Sequence, residues 1–392
     1  MTGKRGWYLR LAAGAAVVGG VVGTWSIAQA SPPRAAHGRA AETSLRSACG
    51  TKIVVQTDWF PEPEHGAMYQ LAGVHGTLDK SHGRYTGTIG KTGVALEIRA
   101  GGPFTGFQQP ISQMYQDKSI TLGYVNSDEA IRNSNNLPTV AIVTPLEYSP
   151  QILMWNPKRL TIRRFPDVAR TNAKVLVFEG GVWIDYLVGR GWVKRSQVDT
   201  SYDGSPARFI SADGGIVQQG FATSEPYQYL HDIKQYAKPV SYLLIKNSGY
   251  VPYPEPLAAR PDVIRSKGAC FKLLAPLIQK AEVNYIKNPR PVNAKLVEIV
   301  TALDTFWKLS PGGNAFNTAQ QKRLKLVQNG PNCTLGDFNL KRLQRTINQL
   351  LPIYREKGLT TFKPNLKARD IATNRFINRR IGLPKKGCSS SR

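Results

Sequence analysis

The residues best placed to do chemistry lie in one segment, Thr57-Asp-Trp-Phe-Pro-Glu-Pro-Glu-His-Gly-Ala-Met-Tyr-Gln70, directly after the β-branched run Ile53-Val54-Val55. Trp59 offers a stacking face, His65 a switchable donor or acceptor, and Tyr69 a hydroxyl, a mixture suited to a small planar or polar ligand. A buried strand that ends in such a loop is how an α/β sheet presents side chains at its carboxyl edge. The competing reading is that aromatic residues beside a strand simply fill the core. Two later segments repeat the layout. Glu179-Gly-Gly-Val-Trp-Ile184 follows the run 175–178 and places Gly181 and Trp183 where a helix would begin, with free backbone N–H groups able to hold a carboxylate, sulfonate or phosphate. It has neither the Lys-Ser/Thr of a phosphate-binding loop nor a GxGxxG spacing, and Gly-Gly is equally a tight turn. Asp213-Gly-Gly-Ile-Val-Gln-Gln-Gly-Phe-Ala-Thr-Ser-Glu-Pro-Tyr227 again runs from strand to polar cluster, bringing Thr223, Glu225 and Tyr227 to a strand end.

Other chemistry finds little footing. None of His37, His65, His75, His82 and His231 accompanies a Gly-x-Ser-x-Gly elbow. His75 and His82 lack the i, i+4 spacing and nearby cysteine of a zinc site. No metal and no cofactor is expected.

The elements that must position these segments alternate short apolar runs with longer amphipathic ones, the pattern of a parallel α/β sheet. Strands are predicted at 53–55, 94–98, 120–124, 140–144, 151–154, 175–178, 216–219 and 242–245. After about Pro261 the strand signal fades and helices are predicted at 267–285, 294–307, 318–328 and 339–354.

The 392 residues suggest two domains or lobes. The 52 Lys and Arg against 26 acidic residues give a net charge of +26, which raises nucleic acid, an anionic membrane or an anionic ligand as partners. Residues 270–392 carry 23 of those basic residues against 6 acidic ones. They alternate with Leu and Ile, as in Lys341-Arg342-Leu343-Gln344-Arg345, the pattern of a solvated helix face. No nucleic-acid partner is therefore expected. At the start, Lys4, Arg5 and Arg10 precede the apolar run 11–23, and Ala28-Gln29-Ala30 supplies a cleavage site. Residues 1–30 thus read as a secretory signal and 31–49 as a flexible leader. The four cysteines, Cys49, Cys270, Cys333 and Cys388, contain no CxxC pair, and an even number in an exported chain favours disulfides, with three connectivities open. Cys49 with Cys388 and Cys270 with Cys333 is the expected pairing.

Taken in order, the motifs resemble the substrate-binding proteins of ABC importers, in the branch for nitrate, sulfonates, taurine and thiamine pyrimidine precursors. The resemblance rests on Trp59 to Tyr69, on Thr223-Ser-Glu-Pro-Tyr227 and on Ala368-Arg-Asp-Ile-Ala-Thr-Asn374-Arg-Phe-Ile377. It spans roughly residues 50–383. The loop departs from that pattern at Phe60, Glu62 and Glu64, and the C-terminal third is more basic than in such proteins. The resemblance implies a two-lobed α/β periplasmic-binding-protein fold of the second topological type, with a ligand cleft between the lobes. Lobe 1 would take residues 50–143 and 240–392, and lobe 2 residues 144–239. The implied ligand contacts are Trp59, His65, Tyr69, Asn126 and Ser127 from lobe 1, with Gly181, Trp183, Thr223, Glu225 and Tyr227 from lobe 2. Glu225 points to an amine or amino-heterocycle, because a cleft carboxylate accepts hydrogen bonds from such groups and repels anions. The alternatives are taurine, an alkanesulfonate or nitrate as ligand, a non-transport extracellular sensor, or pairing of Glu225 with a nearby cation at the hinge. The implied partners are a small molecule and an ABC permease with its ATPase, and the implied state is an exported bacterial monomer. The same fold includes a fungal pyrimidine synthase that uses a His, a pyridoxal-bearing Lys and a Cys-rich segment. No Lys lies between Lys118 and Lys158 and no Cys between Cys49 and Cys270, so no enzymatic activity is expected.

Overall fold

The computed structural model describes residues 45–384 and Cys388. The predicted signal, 1–30, and the leader up to residue 44 lie outside them. Residues 45–49, predicted as the end of a flexible leader, form a helical turn, α1, with Leu45 and Cys49 buried.

Two sheets organise the chain. In the first, β1 (Lys52–Gln56) lies parallel to both β4 (Ala95–Arg99) and β5 (Leu122–Tyr124). β12 (Leu257–Ala259) returns from far along the chain and inserts antiparallel between β5 and β6 (Val140–Val143). The Gly- and Thr-rich stretch after residue 76 extends the other edge as a hairpin, β2 (Thr77–Asp79) and β3 (Arg84–Thr88). The second sheet orders β11 (Ser241–Leu244), β7 (Gln151–Trp155), β10 (Val217–Phe221), β8 (Val175–Leu176) and β9 (Val198–Asp199). All eight predicted strands form; β2, β3, β9 and β12 were not anticipated. The residues predicted as the strand at 242–245 build β11, which pairs with β7 in the second sheet. The chain therefore passes between sheets at 144–150 and 245–256, the latter being later than the expected boundary between residues 239 and 240.

Burial explains the layering. Ile53, Val55, Leu96, Ile98 and Leu122 are fully buried beneath α2 (Gly66–Ala72) and α10 (Gly268–Lys287), which contributes Phe271, Leu274 and Ile278. Each such side chain contributes roughly 1.5–3 kcal/mol. Gly66 permits the close contact of these two helices, since a Cβ there would fall 2.2 Å from the ring of Tyr285. The other core runs continuously from Val54 and Ile111 to Leu153, Val175 and Val217 of the second sheet. Its bridge is α13 (Leu340–Glu356), capped by the Asn339 side chain, which accepts from the Arg342 N–H at 3.0 Å. Leu343, Ile347 and Leu350 form the apolar face of this basic helix.

Arg342 leaves the basic face and is 4% exposed. It donates to Glu147 Oε1 at 2.8 Å and to the carbonyls of Glu147, Val251 and Pro252 at 2.8, 2.9 and 3.1 Å. Tyr148 and Tyr253 cover its guanidinium. One arginine thus ties together both passages between the sheets.

The disulfides join Cys49 to Cys270 and Cys333 to Cys388, not the expected pairs. The reason lies in docking. Cys270 sits in the first turn of α10, where it meets α1 in one buried cluster. Cys333 lies in a loop against the C-terminal segment, with the Leu335 N–H on the Ile381 carbonyl at 2.9 Å. Among the described residues, no helix is long and apolar enough to cross a membrane.

Candidate functional site

A cavity of about 680 Å³ lies between the two sheets, within the size range of a small-molecule site. Its first wall is the loop after β1. Thr57 Oγ1 donates to the Trp59 carbonyl at 2.7 Å and accepts from the Gly101 N–H at 3.2 Å, fixing the turn out of the strand. Pro63 then starts a single 3-10 turn, Pro63–His65, that runs straight into α2. The result directs Asp58, Trp59 and Glu62 into the cavity and buries Glu64 and His65 behind them.

Carboxylates dominate the lining. Asp58, Glu62, Asp128, Glu129 and Glu255 come from the first sheet and its connections; Glu179, Asp203 and Glu225 come from the second. Among the described residues, no lysine, arginine or histidine lines the cavity. The chain has only 26 acidic residues and an excess of basic ones, so this concentration runs against its composition. Burial drives the Glu62, Glu129 and Glu255 carboxyls well above their usual range, and mutual repulsion adds to it: Glu64 on Glu62, Asp128 on Glu129, Asp58 on Glu255. Glu225 is pushed up to about 7 by burial, opposed by the hydrogen bond from the Phe221 N–H at 2.6 Å. Asp128 is raised by burial and held by the hydroxyl of Tyr250.

Aromatic faces complete the lining. Trp59 sits edge-on to Phe178 of the opposite wall at 5.6 Å and to Trp307 at 5.9 Å, and Phe178 packs on Tyr202 at 4.7 Å. Electron-rich faces beside buried carboxylates attract cations.

The ten residues nominated from sequence divide evenly. Trp59, Asn126, Gly181, Trp183 and Glu225 line the cavity. The Asn126 side chain accepts from the Glu255 N–H at 3.0 Å and donates to Glu129 at 3.3 Å, so it holds the acidic wall together. Gly181 is the N-cap of α6 (Val182–Gly189), and Arg132 Nη1 donates to the Gly180 carbonyl beside it at 3.5 Å. Glu225 pairs with no lysine or arginine among the described residues; its carboxylate lies over Gly220, where an added Cβ would come within 2.8 Å of Cδ.

The other five lie outside the cavity lining. Tyr69 is a core residue, 2% exposed, its ring tilted against Tyr85 at 5.5 Å. Ser127 is buried, its Oγ accepting from the Tyr253 N–H at 2.8 Å. Thr223 is buried and donates to Glu64 Oε1 at 2.5 Å, while Asn317 donates to the same carboxylate at 2.9 and 3.0 Å. This ties the end of β10 to the first loop and to α12 (Pro311–Arg323). Tyr227 turns outward against His231 and Phe316, the latter on α12. His65 has no exposed surface, and its Nε2 lies 2.9 Å from Asp58 Oδ1.

Residues missed by the sequence reading include Asp58, Glu62, Phe178, Tyr202, Glu255 and Trp307. One signal was available. Pro61-Glu62-Pro63 recurs as Pro254-Glu255-Pro256, and both glutamates enter the cavity.

The chain has a periplasmic-binding-protein fold: two α/β lobes with the cavity between them. No protein-family model and no curated protein matches the sequence. Solved structures do. The aliphatic sulphonate-binding protein SsuA from Escherichia coli is 15% identical, with a TM-score of 0.52 over 86% of this chain and 93% of that one. The alkanesulfonate-binding SsuA from Xanthomonas axonopodis pv. citri, bound to MOPS, is 9% identical, with a TM-score of 0.52 over 82% and 99%. A ligand-binding component of an ABC-type import system from Staphylococcus aureus, with zinc bound, is 10% identical, with a TM-score of 0.51 over 84% and 99%.

Proposed function

We propose that this chain is the extracytoplasmic substrate-binding component of an ABC importer and that its cleft captures a small organic cation, an amine or amino-heterocycle. The observation that carries the reading is the cavity wall: eight carboxylates, several aromatic faces and, among the described residues, no cationic side chain. The fold supports the transport role, since two lobes joined by the two passages at 144–150 and 245–256 can close on a ligand that touches both. The sulfonates named for the Escherichia coli and Xanthomonas neighbours suit this wall poorly, because it offers an anion no charge-assisted donor. The permease and ATPase of an importer are the partners in this reading, the site of action is outside the cytoplasm, and the chain acts as a monomer by binding rather than catalysis.

A thermal-shift screen of the exported chain tests it, with amines, aminopyrimidines, taurine, alkanesulfonates and nitrate. Organic cations should raise the melting temperature, and Glu225→Gln should weaken that response. A response confined to the anions would sink the assignment.

A further inference from the structure

We infer that Asp58, His65 and Glu255 form a binding site for one divalent first-row transition-metal ion at the floor of the cleft. Ligand atoms of Asp58, His65 and Glu255 lie within 4.8 Å of one another. From His65 Nε2 the distances are 2.9 Å to Asp58 Oδ1 and 3.9 Å to Glu255 Oε2; Glu62 Oε1, 3.8 Å from the same nitrogen, stands outside this mutual cluster. Ligand atoms about 2.0–2.2 Å from a tetrahedral zinc ion are roughly 3.4 Å apart. The three ligand atoms lie between 2.9 Å and at most 4.8 Å apart, so closing on an ion requires each side chain to shift by about 1 Å or less, with a water in the fourth position.

A second observation is independent of the clustering. Glu255 is 3% exposed, lines the cavity, and its Oε2, the atom facing His65, has no hydrogen-bond partner among the described residues. A buried carboxylate oxygen without a donor is costly, and no lysine or arginine pairs with any of the three residues among the described ones. A cation in contact with Oε2 supplies the missing partner. Held at φ 50 with its N–H on Asn126, Glu255 is presented by the backbone at this point.

The donor set selects the ion. One imidazole nitrogen with carboxylate oxygens suits zinc and its first-row neighbours, whereas magnesium and calcium take six or more oxygens. The site shares Asp58 and Glu255 with the acidic wall but rests on their geometry around His65 rather than on the organic-cation reading; Trp59, Phe178 and Glu225 are not among its ligands.

The test uses the full exported chain with its disulfides, stripped by a chelator and titrated with ZnCl2 in a calorimeter, with Co2+ absorption as a second readout. The expected result is one zinc per chain, undisturbed by millimolar Mg2+ or Ca2+, with a Co2+ spectrum showing nitrogen and oxygen ligation. Glu255→Gln and Asp58→Asn, which keep side-chain shape, should each weaken zinc by about 10- to 100-fold, and His65→Gln should remove the nitrogen signature. His82→Ala, at the exposed pair with Asp79, should change nothing. Zinc uptake that persists in Glu255→Gln and Asp58→Asn, uptake lost in His82→Ala, or no stoichiometric uptake would overturn the site. The organic-cation screen is run on metal-free protein, so the two readings fail separately.

Discussion

Glu225→Gln separates the electrostatics of the cleft from its packing. The Glu225 carboxyl is raised from 4.5 to about 7, chiefly by burial. Between those values the native state keeps a proton that the unfolded chain has lost, so the native state binds more protons and stability falls as pH rises. From pH 5 to pH 8 the linked loss is roughly 2.5 kcal/mol for this one group. The glutamine variant has no charge to bury at this position. It should therefore match the wild type within about 1 kcal/mol at pH 5 and exceed it by roughly 2–3 kcal/mol at pH 8. Urea unfolding of the ligand-free proteins at pH 5, 6, 7 and 8 reads this directly. Glu62, Glu129 and Glu255 shift in the same direction, so a downward trend with pH should survive in the variant. A gap between the two proteins that stays constant with pH, or a wild type that gains on the variant at pH 8, would refute the reasoning.

Three further outcomes follow from named contacts. Trp59→Ala should weaken an organic cation by about 10- to 30-fold, the worth of a desolvated cation–aromatic contact, and calorimetry with the best hit of the screen checks it. Arg342→Ala leaves Glu147 buried without its partner and should cost about 3–5 kcal/mol; replacing both partners with Met and Leu should recover most of the loss in urea unfolding. Opening Cys49–Cys270, which spans 221 residues, should destabilise more than opening Cys333–Cys388, which spans 55, by about 1 kcal/mol on chain entropy. Non-reducing peptide mapping should find those two pairs.

The strands were legible where burial on both faces wrote unbroken apolar runs rich in β-branched residues, as at Ile53-Val54-Val55 and Val140 to Val143. β12 was not, because Leu257-Ala-Ala259 is short, unpatterned and defined only by the neighbours it inserts between. The cysteine pairing was hidden for a related reason: it depends on α1 docking against α10 and on the C-terminal segment docking against the loop at Cys333. In the site, residues at strand ends and helix starts were readable from local chemistry, as with Trp59, Asn126 and Gly181. Tyr69 misled because α2 turns it inward to Tyr85, one helical turn past the loop. Glu255 lies far from Asp58 in sequence, and only the return of the chain through 245–256 brings them together.

The acidic, aromatic lining makes the cleft selective for positive charge. The most direct measurement is calorimetric titration of the metal-free chain with three ligands on one ring scaffold, bearing an ammonium, a hydroxymethyl and a sulfonate group. The ammonium should bind at least tenfold more tightly than the neutral compound, more strongly at pH 8 than at pH 6, with protons released on binding, and the sulfonate should give no heat. Tight binding of the sulfonate with the ammonium silent would contradict the account.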